Sequence, residues 1–207
     1  MSINGVILFG DSVFFGYGAS TRNLGCGRVL KNLYKKVPIL IKARNNENTA
    51  EALLRLKQDV LQRSGYSCIF IMFGNNDSRL IGPTKAVCSL HKFEHNLISM
   101  IDMIKASRKI PVLCNLQPLD DDICYENLPD MKRYLPLDTT PDQWHKKYSD
   151  KILDIAAIQK TRHIDIDTKL RQFGRKTIFK DGLHPNDLGH HEIALLLADE
   201  IIRLERI

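Results

Sequence analysis

No apolar run in this sequence approaches the roughly 20 residues that a membrane-crossing helix needs. A stretch such as residues 68–73 (CIFIMF) has the length of a strand. The opening residues, MSINGVILFGD, lack a basic region followed by a small-residue cleavage site. The expectation is therefore a cytoplasmic protein with no stable membrane insertion. Cysteine is sparse and unpaired: the five residues Cys26, Cys68, Cys88, Cys114 and Cys124 form an odd set without a C-x-x-C pair. Cys68 and Cys114 sit inside apolar runs and read as buried thiols, which points to a reducing compartment.

Other absences are equally selective. There is no G-x-G-x-x-G, no G-K-[ST] and no G-x-S-x-G, which argues against the usual phosphate loops and against the nucleophile elbow of one large esterase fold. No internal repeat, linker or Gly/Pro/Ser-rich stretch divides the chain, so residues 1–207 are expected to form one domain. The net charge of +6 favours anionic partners. No recognition-helix or interleaved aromatic pattern accompanies it, so nucleic acid is not expected. His184, Asp187, His190 and His191 are close in sequence, but without a usual ligand spacing on one helix, and neither a metal nor a cofactor is expected. The other histidines, His91, His95, His145 and His163, have no companion acids at ligand spacing and read as surface or packing residues. Oligomeric state is not written in the sequence.

What is present is an alternation. Short apolar runs at 5–9, 38–43, 68–73, 110–115 and 163–166 read as five strands, and amphipathic segments separate them. Asn48 with Glu51 three residues on marks one helix start; Thr140-Pro141-Asp142-Gln143 marks another. A helical stripe runs from Ala86 through Val87, Leu90, Leu97, Ile101 and Ile104. The last helix carries Ile193, Leu196, Leu197, Ile201 and Leu204 on one face. The lone Trp144 shares a face with Tyr148, Ile152 and Ile155 and reads as core. Repeated β-α units imply an α/β fold with a parallel sheet covered on both faces, that is, a three-layer α/β/α sandwich of flavodoxin-like type with a five-stranded sheet. Residues 116–139 are one long irregular piece, and a loop of that length is expected to be functional, here as a wall or lid.

In such a sheet, ligands bind at the carboxyl ends of the strands. The polar residues falling there are Asp11 and Ser12 after the first strand, the segment from Arg44 to Glu47 after the second, Gly74-Asn75-Asn76-Asp77 after the third, and Asp181 to Asn186 before the last helix. A serine hydroxyl needs a base to become a nucleophile, and a histidine base needs a carboxylate to hold its tautomer. Asp181 and His184, three apart in a turn, fit the second requirement. Ser12 fits the first, with its own N–H and the Asn76 amide as donors for a developing oxyanion. Asp11 reads as structural, Asp77 as a turn residue, and Asn75 could face either way.

The three blocks GDS, GNND and DGLHP, in that order and across essentially the whole chain, resemble the SGNH hydrolases, also called the GDSL esterase/lipase family. The resemblance implies Ser12 as nucleophile, Asn76 as oxyanion-hole asparagine, Asp181 as orienting acid and His184 as general base. It implies cleavage of carboxylic or thioesters, including lipid and sugar esters, without a metal. One block departs: the family carries a glycine oxyanion donor after the second strand, and Glu47 falls at that place if Thr49 aligns with the family threonine. There its bulk and charge would oppose catalysis. With a shortened loop, Asn46 takes the role instead. The expected function is a serine esterase acting through an acyl-enzyme on short or medium acyl groups. The alternatives are a catalytically weak or inactive binding protein on the same fold and a flavodoxin-like nucleotide or phosphate binder.

Overall fold

A computed structural model describes residues 3–206. Five strands form one sheet: β1 (Val6–Gly10), β2 (Ile39–Ala43), β3 (Cys68–Met72), β6 (Ile110–Cys114) and β7 (Arg162–Ile164). Their order across the sheet is β2-β1-β3-β6-β7, and every pairing is parallel. β1 and β3 are buried at every position, as unbroken apolar runs require when helices cover both faces. The order reverses between β1 and β3, and the carboxyl ends of those two strands are where such a sheet opens a crevice.

The helices follow their start signals. α1 (Ser12–Phe15) is a single turn capped by the Asp11 carboxylate, which accepts from Val13 N–H. α2 (Cys26–Leu33) follows a short 3-10 turn. α3 (Thr49–Leu56) starts with the Asn48–Glu51 capping box and runs into a π-helical turn over Lys57–Leu61. α4 (Leu90–Ala106) begins at a Ser89 cap and not at Ala86. Residues ahead of it pair instead as a small antiparallel hairpin of β4 (Leu80–Gly82) and β5 (Lys85–Ala86). α7 (Pro141–Ile158) starts with the Thr140–Gln143 box and proline in its first turn. α8 (Ile166–Arg171), α9 (Arg175–Ile178) and α10 (Asp187–Glu205) complete the layers.

The segment 116–139 is not wholly irregular. It holds α5 (Asp121–Asn127), capped by Asp120, and α6 (Pro129–Tyr134), opened by its proline. The core is one cluster between sheet and helices, with Phe9, Phe70, Phe73 and Phe93 fully buried. Truncating a side chain such as Ile71 to alanine in this layer costs about 2–5 kcal/mol.

Candidate active site

β1 ends at Gly10, and the next two residues turn sharply into α1. Ser12 thereby stands at the crevice, largely buried, with its Oγ 3.1 Å from His184 Nε2. His184 comes from the other end of the chain, in the turn before α10. That turn folds on its own carboxylate: Asp181 Oδ1 accepts from the N–H groups of Leu183 (3.0 Å) and His184 (2.7 Å), and Oδ2 lies 2.7 Å from His184 Nδ1. Gly182 permits the turn with φ of +85°, and a Cβ there would meet the Cys124 backbone. Gly18, at φ +99°, lets the chain after α1 press against His184 and Pro185, where a Cβ would overlap the Pro185 carbonyl.

Electrostatics set the proton positions. Burial alone would raise Asp181, but its hydrogen bonds from the His184 ring and backbone carry it down to about 2. The carboxylate is therefore ionised and accepts only, which selects the tautomer: in a neutral ring Nδ1 carries the proton and Nε2 presents a lone pair to Ser12. The exposed Tyr17 ring stands edge-on to the imidazole at 4.5 Å between centroids.

The third strand end contributes two asparagines with different jobs. Asn76 Nδ2 donates to the Glu47 carbonyl at 3.0 Å, which uses one of its two amide protons and orients the group at the cleft. Asn75 turns inward, to the Asp11 carboxylate, Gln117 and His145. Asp77 is not simply a turn residue. It is fully buried and accepts from both the N–H and the hydroxyl of Thr49, tying the start of α3 to the end of β3.

Glu47 does not project charge at the crevice as its sequence position suggested. Its carboxylate is buried against the Arg55 guanidinium, which bonds it through Nε at 2.6 Å and also through a second nitrogen. Arg55 in turn reaches Asp59 and the Lys42 carbonyl and lies over the Phe9 ring. Asn46, not Glu47, lines the cleft, with a left-handed φ of +61° that asparagine tolerates better than most residues. Arg55 was not singled out in the sequence, because an arginine on a surface-type helix reads as solvated.

His190 lies fully buried, its ring bonded to Cys26 N–H and to the Tyr17 carbonyl, and so serves packing. His145 is buried too, whereas His91, His95 and His163 are exposed. All five cysteines are buried and free. Among the described residues no helix is long and apolar enough to cross a membrane.

The cleft beside Ser12 holds about 380 Å³. The far wall comes from the 116–139 segment and α7: Leu119, Leu128, Met131, Tyr134 and Trp144 line it. Trp144 is thus part core and part wall, its indole N–H anchored 2.7 Å from the Ser78 carbonyl. The same segment clamps the histidine turn from behind, through Asp120 N–H and Cys124 Sγ on the Gly182 carbonyl.

A lone pair poised over a hydroxyl, at the open edge of a doubly wound sheet and beside an apolar cleft, suits attack on a carbonyl carbon. The class these features define is a hydrolase of ester bonds built on a doubly wound parallel sheet. Comparison with known proteins takes the assignment further. The pattern of the GDSL-like lipase/acylhydrolase family matches residues 8–192, and the chain belongs to that family. A curated relative, the uncharacterized lipoprotein YqeF of Bacillus subtilis, is 28% identical over 174 residues, 76% of this chain and 71% of its own length. Solved structures share the fold. A lipase/acylhydrolase from Enterococcus faecalis superposes with a TM-score of 0.77 at 21% identity, covering 97% of this chain and 95% of its own. The esterase EstA from Pseudoalteromonas, in a structure inhibited by monoethylphosphonate, gives 0.73 at 19%, covering 99% and 100%. The acetylxylan esterase Axe2 from Geobacillus stearothermophilus gives 0.72 at 18%, covering 97% and 94%.

Proposed function

We propose that this protein is a serine esterase that works through an acyl-enzyme on short- to medium-chain esters. One observation carries the reading: the unbroken hydrogen-bonded line from Ser12 Oγ through the His184 ring to Asp181. His184 Nε2 takes the Ser12 proton as Oγ attacks the ester carbonyl. Asp181 keeps the ring in the right tautomer and stabilises the imidazolium that forms. Three donors are available to the oxyanion: the free amide proton of Asn76 and the N–H groups of Ser12 and Asn46, each worth a few kcal/mol when aimed at the developing charge. Asn46 replaces Glu47 in this role because it is the residue of that turn facing the cleft. His184 then protonates the leaving alcohol. In the second half-reaction it activates water against the acyl-enzyme.

The acyl chain fits between Leu119, Met131, Tyr134 and Trp144. A cleft of about 380 Å³ lies near the small end of ligand pockets, roughly 300–1,000 Å³, which suits medium chains better than long ones. The rival reading of an inactive binding protein drew its support from a glutamate beside the oxyanion, and Glu47 is turned away onto Arg55.

A fluorophosphonate probe followed by peptide mass spectrometry tests the nucleophile. EstA carries a phosphonate in its inhibited structure, which makes the reagent class a reasonable choice. Ser12 should be the labelled residue, and 4-nitrophenyl butyrate to octanoate should be cleaved faster than the palmitate. Hydrolysis by Ser12→Ala at the wild-type rate, or a wild type that takes no label, would refute the mechanism.

A further inference from the structure

Behind Ser12 and His184 lies a second line of polar groups that the mechanism above does not use. Asp11, Asn75, Gln117 and His145 are all buried, with Asn75 and His145 also lining the cleft. Asn75 Nδ2 donates to Asp11 Oδ2 at 2.9 Å. Gln117 Nε2 donates twice, to Asn75 Oδ1 at 2.9 Å and to the Leu183 carbonyl at 3.0 Å. His145 Nε2 makes the second bond to Asn75 Oδ1 at 2.8 Å. The line therefore begins at the residue before the nucleophile, crosses the ends of β3 and β6, and finishes at the residue before the general base.

Gln117 occupies its place at a cost. It is fully buried, and its Oε1 has no hydrogen-bond partner among the described residues. Leaving a buried carbonyl unpaired destabilises a fold, and an apolar residue of the same length would remove that cost. What such a residue could not supply is the pair of N–H groups reaching in two directions. Buried polar groups kept against stability call for a role other than stability.

We propose that Gln117 is a positioning residue: its amide is the strut that holds the Leu183–His184 turn in register with the Asp11–Ser12 turn. Strand β6 supplies the rigid base, and the two donated bonds fix the separation of two turns that are otherwise far apart in sequence. The α5 side of the histidine turn is held independently by Asp120 and Cys124 on the Gly182 carbonyl. Loss of the strut thus lets the turn shift on its Ser12 side without detaching it. Gln117 does not line the cleft, so it acts through His184 and not on the substrate.

The inference rests on the acyl-enzyme reading, and one experiment separates their failures. Wild type and Gln117→Met are treated with a fluorophosphonate, titrated for reactive Ser12, and assayed on 4-nitrophenyl butyrate. A misplaced base slows chemistry and leaves substrate binding alone, so kcat per folded molecule and the labelling rate should both fall by about tenfold, with KM within about twofold. Absence of labelling in the wild type sinks the esterase reading itself. Equal labelling rates and kcat in wild type and Gln117→Met, whatever the change in melting temperature, overturn the positioning role and leave the amide a structural group. Gln117→Leu, of similar size and likewise without a donor, repeats the test with a differently shaped side chain. If neither variant yields soluble folded protein, the strut belongs to the fold and the inference is wrong.

Discussion

Two carboxylates, Asp11 and Asp181, stand one and three residues ahead of the two groups that meet at the cleft, and they are tuned in opposite directions. Asp11 is wholly buried, and burial pushes it up from an ordinary 3.8 to about 7 despite hydrogen bonds from Asn75 and Val13. Asp181 is about a third exposed and is carried down to about 2 by its bonds to the His184 ring and backbone. The contrast lies first in burial and then in the donors. Asp11 receives only neutral amides inside the core. Asp181 receives two backbone N–H groups and the His184 ring, with its edge open to solvent. The same side chain is thus a structural cap in one turn and an electrostatic partner in the other.

The largest expected effect breaks the pair apart. Asp181→Asn should lower kcat by on the order of 10³–10⁴ while the fold survives, because an amide at that position favours the wrong imidazole tautomer. Asp11→Asn keeps a carbonyl for Val13 or Asn75 and should cost about tenfold or less. Steady-state kinetics on one ester decides it. Comparable losses in the two variants would mean that Asp11 also serves the imidazolium directly, and the division of roles would fail.

A third carboxylate sharpens the comparison. Glu47 is as buried as Ser12, yet it sits against a guanidinium that is itself buried (6% exposed). Arg55→Met strands that charge and should destabilise the fold by about 3–5 kcal/mol. Replacing both partners by apolar residues should recover most of the loss, since a buried ion pair mainly offsets its own desolvation. Urea midpoints of the single and double variants measure this. A single variant within about 1 kcal/mol of wild type would show that Glu47 escapes to solvent.

The division between what the sequence revealed and what it concealed follows the same physics. Local signals were legible: the apolar run at 68–73, the Asn48–Glu51 and Thr140–Gln143 boxes, and the Asp181–His184 turn all depend on neighbours within a few residues. Ser12 was legible because its partners carry distinctive types at strand ends. Arg55, Gln117 and His145 were not, since each owes its role to groups 8 to 70 positions away and each belongs to a type that is ordinarily solvated. The α4 start was misread because Val87 continues the apolar spacing, while the Ser89 side chain, bonding Lys92 N–H, decides the boundary. In the 116–139 segment the helices are too short to show a period, and only the Asp120 cap and the Pro129 start announce them.

The smallest effect is a cancellation. His145 is held down from 6.5 to about 4 by burial, and it shares the Asn75 amide with Asp11. Between about pH 4 and 6.5 the unfolded chain binds the His145 proton and the folded one does not, so this group makes stability rise with pH. Over the same window the folded chain holds the Asp11 proton and the unfolded one does not, so Asp11 makes stability fall as pH rises. Each slope is at most about 1.4 kcal/mol per pH unit, and they oppose. Together they leave almost no pH dependence, but either variant alone unmasks the other. Denaturant titrations at pH 4.5, 5.5 and 6.5 should show Asp11→Asn gaining stability with pH relative to wild type, and His145→Gln losing it. Parallel pH profiles for wild type and both variants would mean that neither group changes its proton on unfolding, and that the contrast between the two turns does not extend to the amide beneath them.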